Sequence, residues 1–137
     1  MIIIKNNILP FSGYKAMNIF GLILTKGELN ELEKNHEAIH TQQIIEMGVF
    51  GFIVMFIYAL FFGFSLLWTF LGASAFYVWY ALEYLFVRIF HNKQGDAYHD
   101  ISLEEEAYQN DDNLDYIKNR KGFEWLIYLK PMSNTKK

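Results

Sequence analysis

Apolar and polar positions divide this chain into blocks of different period. In residues 1–27, short apolar runs (Ile2-Ile3-Ile4 and Ile19-Phe20-Gly21-Leu22-Ile23-Leu24) alternate with turn signals at Asn6-Asn7, Pro10 and Ser12-Gly13. Such runs predict two or three short strands in a small antiparallel β element. They cover the next helix, and an edge strand near residues 18–25 can also pair with an extended substrate. Residues 28–46 are mostly polar, and Asn30-Glu31-Leu32-Glu33 sets a capping residue three positions before a glutamate, which predicts a helix start. Beyond Glu46 the pattern becomes continuously apolar, so the simplest reading runs one helix from an aqueous face into a bilayer.

From Gly48 to Leu82, thirty-five consecutive positions carry no charge, well past the ~18 that mark a membrane span. Residues 47–90 suffice for two helices of about twenty residues, which predicts a transmembrane hairpin. Its turn falls at Gly63-Phe64-Ser65 or Gly72-Ala73-Ser74; the first is preferred because it leaves Ser65 to cap the second helix and Trp68 near an interface. All 12 Lys and Arg lie outside the uncharged block. The positive-inside rule then puts both termini in the cytoplasm of a bacterial inner membrane, with lipid as a partner. A re-entrant or fully buried hairpin is the competing reading. Either hairpin returns Glu83 and Arg88 toward the motif helix, with Glu83 read as a solvated helix-end carboxylate or as an interior group serving a site.

Ser102-Leu103-Glu104-Glu105 reads as a capping box opening a return helix within residues 100–121. Its apolar positions 103, 107, 114 and 117 predict one packing stripe, and Glu104 and Tyr108 share a neighbouring face. The run Glu104-Glu105-Glu106 also suits an acidic first turn that complements the helix dipole, the expected role for two of the three. Residues 122–131 form a short amphipathic tail that anchors at the interface or covers the core, and residues 133–137 are expected to be disordered. The fold class is thus a mainly α membrane protein, a single domain over 1–137. Its parts are the β element (1–27), the motif helix (28–46), the membrane hairpin (47–90), the return helix (100–121) and the tail.

Composition narrows the function classes. With 137 residues, 53% apolar and 18% aromatic, the surface is too apolar for an ordinary soluble domain. The absence of cysteine excludes disulfides, thiolate metal sites and cysteine nucleophiles. A net charge of −3 leaves no basic stripe for nucleic acid. Met1-Ile2-Ile3-Ile4-Lys5 is too short for the apolar region of a signal peptide, so insertion is expected to be signalled by the internal apolar block.

The chemistry concentrates in His36-Glu37-Ala38-Ile39-His40, an HExxH pattern that holds two of the four histidines. Residues four apart share a helix face, so both imidazoles can reach one Zn²⁺, while Glu37 on the adjoining stripe can act as general base toward water. Zinc acidifies that water and polarises a carbonyl, which makes peptide hydrolysis the expected reaction. Chance alone yields such a pattern in roughly one per cent of chains of this composition, and two solvent-facing histidines are the bland alternative. A third ligand must come from another element. The acidic run at 104–106 offers three carboxylates between which the residues alone do not choose.

Together with Glu104-Glu105-Glu106-Ala107-Tyr108, the motif resembles the gluzincin arrangement, most closely that of membrane-integrated metallopeptidases of the CAAX prenyl endopeptidase type. The resemblance implies His36, His40 and Glu104 as zinc ligands, Glu104 because Ala107 stands three positions after it, and Glu37 as general base. The chain also resembles a group of small bacterial membrane proteins with an HExxHxxQ helix and an E-x-E-A-Y helix. These likenesses cover about residues 35–46 and 76–121. Tyr108 stands where the gluzincin pattern often has Asp, so Asp111 or Asp100 is left to orient a ligand. The oxyanion donor is left to His99, Tyr98 or Tyr108 on chemical grounds.

The first expectation is therefore a zinc metalloendopeptidase acting on a peptide or membrane-protein substrate at the cytoplasmic membrane interface. A second reading takes Glu37-Ala38-Ile39-His40 and Asp96-Ala97-Tyr98-His99 as halves of a di-iron carboxylate site. A third is a non-enzymatic membrane assembly or accessory protein with a structural metal or none. The sequence leaves the oligomeric state open.

Overall fold

A computed structural model of the chain describes residues 2–6, 8–10, 13–90 and 97–129. It is mainly helical, with a small sheet at the N-terminus. The end of the tail beyond Leu129 and the segment 133–137 lie outside the described residues.

Strands β1 (Ile2–Lys5), β2 (Ala16–Ile19) and β3 (Leu22–Thr25) form a sheet in the order β1-β3-β2. The β2–β3 hairpin closes through Phe20-Gly21, both at positive φ (51° and 81°), as a two-residue turn matched to strand twist requires. β1 lies parallel to β3, which corrects the expected antiparallel element to a mixed one. Asn6 Oδ1 accepts from the Ile8 and Leu9 amides and turns the chain out of β1. The chain can then cross before β2, leaving β1 to settle parallel on the far side of β3. A second correction follows: β3 is central, so the strand edge beside the helices belongs to β2 and not to the whole of residues 18–25.

Helix α1 spans Glu31–Phe62 without interruption. Asn30 and Glu33 make the reciprocal capping box, each side chain accepting from the other's amide at 2.8 Å. Gly63 ends the helix at φ 70°, a left-handed cap that favours glycine, so the chain reverses at the first of the two predicted turns. Ser65 Oγ then accepts from the Leu67 amide. The returning arm is a 3₁₀ segment over Leu66–Ser74 followed by α2 over Ala75–Phe90. The hydroxyls of Thr69 and Ser74 bond back three residues to Leu66 O and Leu71 O, at 2.5 and 2.6 Å, in keeping with the tighter winding. Gly51 and Gly72 let the two arms touch: a Cβ on Gly51 would stand 2.3 Å from the Gly72 carbonyl oxygen. Glu31–Phe62 and Leu66–Phe90 are each long and apolar enough to cross a membrane.

Helix α3 covers Ser102–Asn110, and α4 is a separate turn at Tyr116–Asn119. The single helix expected through Ile117 is thus broken, and Leu114 is exposed rather than part of a stripe. The break falls at Asn110-Asp111-Asp112-Asn113, residues whose side chains compete for backbone hydrogen bonds. It is fixed by Asn35 of α1, whose Nδ2 donates to the carbonyls of Asn110, Asp111 and Asn113 at 3.2, 2.9 and 3.0 Å. The core joins Ile44 and Met47 of α1, Phe76 of α2, Leu103 of α3 and Trp125. Trp125 comes from a 3₁₀ turn over Glu124–Tyr128, so the described part of the tail covers the core.

Candidate metal centre

The first turns of α1 carry His36 and His40 on one face, and α3 packs Glu104 against them. His36 Nε2 and His40 Nε2 lie 3.1 Å apart. Glu104 completes a triangle, with Oε2 at 3.3 Å from His36 Nε2 and Oε1 at 3.4 Å from His40 Nε2. One donor atom from each of the three residues lies within 4.8 Å of the other two, and metal–ligand bonds of about 2.0–2.1 Å separate ligand atoms by about 3.3 Å in a tetrahedron, so the group is compact enough to close on one cation. Two buried carboxylate oxygens, Glu37 Oε2 and Glu104 Oε2, accept no hydrogen bond among the described residues. Both observations fit a divalent cation. Burial works against the Glu104 carboxylate, but His40 and then His36 outweigh it and hold its pKa below the usual carboxylate range.

The two neighbours of Glu104 have other work. Glu105 is half-buried and accepts from Gln109. Glu106 is fully buried and ion-paired with Arg120, which corrects its reading as an acidic first-turn residue. The capping box at Ser102 is also corrected: α3 has no side-chain cap of its own. Glu83 of α2 supplies it, with Oε1 accepting from the Ser102 amide and Oε2 from Ser102 Oγ, both at 2.8 Å. Trp79 Nε1 donates to Glu83 Oε2 as well, at 2.9 Å. Of the two readings of Glu83, the structure shows an interior group rather than a solvated one, outside the His36, His40 and Glu104 cluster. Glu83 ties α2 to the first turn of α3, two residues before Glu104.

The His40 ring is held by Gln43, the last position of the HExxHxxQ pattern, to which the sequence reading assigned no role. Gln43 Oε1 lies 2.8 Å from His40 Nδ1, and its Nε2 donates to Leu103 O and Glu106 Oε2, both at 3.0 Å. An acceptor at Nδ1 keeps the proton there and leaves Nε2 free to ligate. The signal was available, since Gln43 stands seven residues after His36 and three after His40, on the ligand face. Asp111 Oδ2 lies 3.8 Å from His36 Nδ1, longer than a hydrogen bond. Replacing Gln43 by Ala is expected to weaken metal affinity by about 10- to 100-fold, measured by competition with a chromophoric chelator; unchanged affinity would deny Gln43 this role.

Glu37 is buried at the foot of β2, where Asn18 Nδ2 donates to its carbonyl at 2.8 Å and to Thr41 Oγ1 at 2.9 Å. Tyr80, likewise assigned no role from the sequence, donates to Glu104 Oε1 at 2.8 Å. Burial, followed by the charge of Glu104, holds the Tyr98 phenol well above its usual pKa, so it stays a proton donor. The His99 ring lies 4.6 Å from that of Tyr108, which lies 4.5 Å from that of His36. Two clefts meet here. One, of about 680 Å³, runs between β2 and α2 and reaches Glu37, His40 and Glu104. The other, of about 640 Å³, is lined by polar groups including His36, Glu37, His99, Tyr108 and Asp111.

The described residues hold one group able to bind a metal, and His99 is outside it. Asp96, needed for the second half of a di-iron site, lies outside the described residues. Compared with known proteins, the chain matches no family model, no curated sequence and no solved structure.

Proposed function

We propose that this chain is a zinc-dependent membrane metalloendopeptidase with its active site at the cytoplasmic membrane interface. The observation that carries the reading is the triangle of His36, His40 and Glu104 with the Glu37 carboxylate buried beside it. Structural zinc sites are closed by four protein ligands, whereas catalytic ones keep a position open. Three ligands at the meeting of two clefts favour the catalytic kind over an accessory protein with a structural metal.

Zinc held there would supply Lewis-acid polarisation and water acidified to near-neutral pKa. Glu37 accepts the proton from the attacking water and delivers it to the leaving amine. Tyr98, which lines both clefts, and His99 and Tyr108 on the polar side are the candidate donors to the developing oxyanion. The outer edge of β2 offers backbone groups that hold an extended substrate beside Glu37.

Membrane insertion is supported by exposure. Only 17% and 22% of the most apolar windows of the two long helical stretches are buried, so their side chains need lipid. At 1.5 Å per residue, a hydrocarbon core of about 30 Å measured up from Phe62 ends near Gln43, about one turn from His40. The charge distribution supports a cytoplasmic position for that end.

Protein purified in detergent is expected to hold one zinc per chain and to cut members of a broad peptide library. Cleavage should stop with a chelator and return with zinc. Two irons, or no metal, would overturn the proposal.

A further inference from the structure

The two clefts differ in chemistry, and β2 runs from one to the other. Its N-terminal approach, Tyr14-Lys15-Ala16, lines the polar cleft with His36 and Asp111. The rest of the strand, Met17 to Ile19, and the turn residue Phe20 line the apolar cleft, whose far wall is Phe76, Tyr77, Ala81 and Tyr84 of α2. Glu37, Tyr98, Tyr14 and Ala16 belong to both. A chain laid along β2 therefore has one half among aromatic rings and the other among charged and polar groups, with the metal ligands between.

The register fixes which backbone groups β2 offers. Ile19 pairs with Leu22 across the two-residue turn and Met17 with Leu24, so in the alternation of an antiparallel ladder Ala16 and Asn18 turn their amides and carbonyls away from β3. Asn18 O indeed meets Tyr77 Oη at 3.4 Å on that side. No strand adjoins this edge among the described residues. A four-residue strand is about 14 Å long, enough to carry a substrate past the metal.

Antiparallel pairing is the more stable way to extend such an edge. We infer that the substrate is an extended peptide lying antiparallel to β2, with large apolar side chains before the scissile bond in the α2-side cleft and polar residues after it. This deepens the peptidase reading and rests on it for the position of the cut. Ala81 is the specificity-determining position: it is exposed on α2, lines the apolar cleft only, and touches none of the metal-binding residues in the contacts described above.

Two peptides of identical composition test this, one apolar in its N-terminal half and polar in its C-terminal half, the other reversed. Zinc-loaded protein in detergent is expected to cut the first at least about 10-fold better, between the halves, and Ala81→Phe to reduce that preference while zinc content is unchanged. Binding to the zinc-loaded Glu37→Gln protein, read by fluorescence anisotropy, should favour the same peptide. Cleavage favouring the reversed peptide, or no preference, overturns the inference and leaves the peptidase reading standing. Selective binding of the first peptide with no cleavage by the wild type overturns the peptidase reading and keeps the docking direction. A preference that Ala81→Phe leaves untouched gives the cleft to lipid and overturns the assignment of the substrate's apolar half to it.

Discussion

Glu37→Gln is expected to leave zinc content unchanged and to lower peptide cleavage by about 10²- to 10⁴-fold, the usual contribution of a positioned general base. Glu37 is not among the three residues whose donor atoms converge, so its amide analogue removes no ligand. Its Oε2 is buried and accepts no hydrogen bond among the described residues, so the substitution breaks no internal contact at that atom. Its helix position is held independently, by Asn18 on its carbonyl. The measurement is kcat/KM on one library-selected peptide together with zinc per chain for both proteins. His40→Ala on the same protein should lose the metal as well. Equal rates for wild type and Glu37→Gln would end the hydrolytic proposal.

Arg120→Met is expected to be the most destabilising single change outside the site. The Arg120 side chain is 3% exposed and bridges Glu106, at 0%, and Glu46, at 18%. Burial opposes the guanidinium charge, but Glu106 and Glu46 outweigh it and hold its pKa above the usual value. Removing the cation leaves the buried Glu106 carboxylate without its ion-pair partner, with Tyr116 Oη and Gln43 Nε2 as its donors, each at 3.0 Å. Breaking a buried pair in this way costs about 3–5 kcal/mol, which corresponds to a fall in Tm of roughly 10 °C or more in detergent. The double variant Glu106→Gln with Arg120→Met should recover most of it, because the stranded charge is gone. Metal affinity should fall with the single variant too, since Gln43 links Glu106 to His40. A melting temperature within about 2 °C of wild type would show that the pair carries no such load.

These two residues mark the boundary of what the sequence discloses. The start of α1, its unbroken run into the apolar block and the reversal at Gly63 were all legible, because capping, charge-free length and a left-handed glycine act within a few residues. The shared face of His36 and His40 is equally local. The mixed sheet was not legible, since Ile2, Ile3 and Ile4 stay exposed in β1, so no buried face in the sequence pattern dictates which way that strand pairs with β3. The Ser102 box was misleading for a related reason: its pattern was right for a cap, but Glu83 from another helix took the position.

Among Glu104, Glu105 and Glu106, the residues by themselves left the ligand open, and a family resemblance singled out Glu104. Folding separates them by rotation about α3: Glu104 faces the histidines, Glu105 reaches Gln109, and Glu106 turns to Arg120. That rotation is set by Glu83 at one end of α3, Asn35 at the other and Gln43 between, partners 19 to 78 residues away in sequence. Helix spacing determined by itself that two imidazoles would share a face with a carboxylate beside them. Only the tertiary structure decided which carboxylate meets them and which clefts open there, because those depend on contacts between distant segments that no local period encodes.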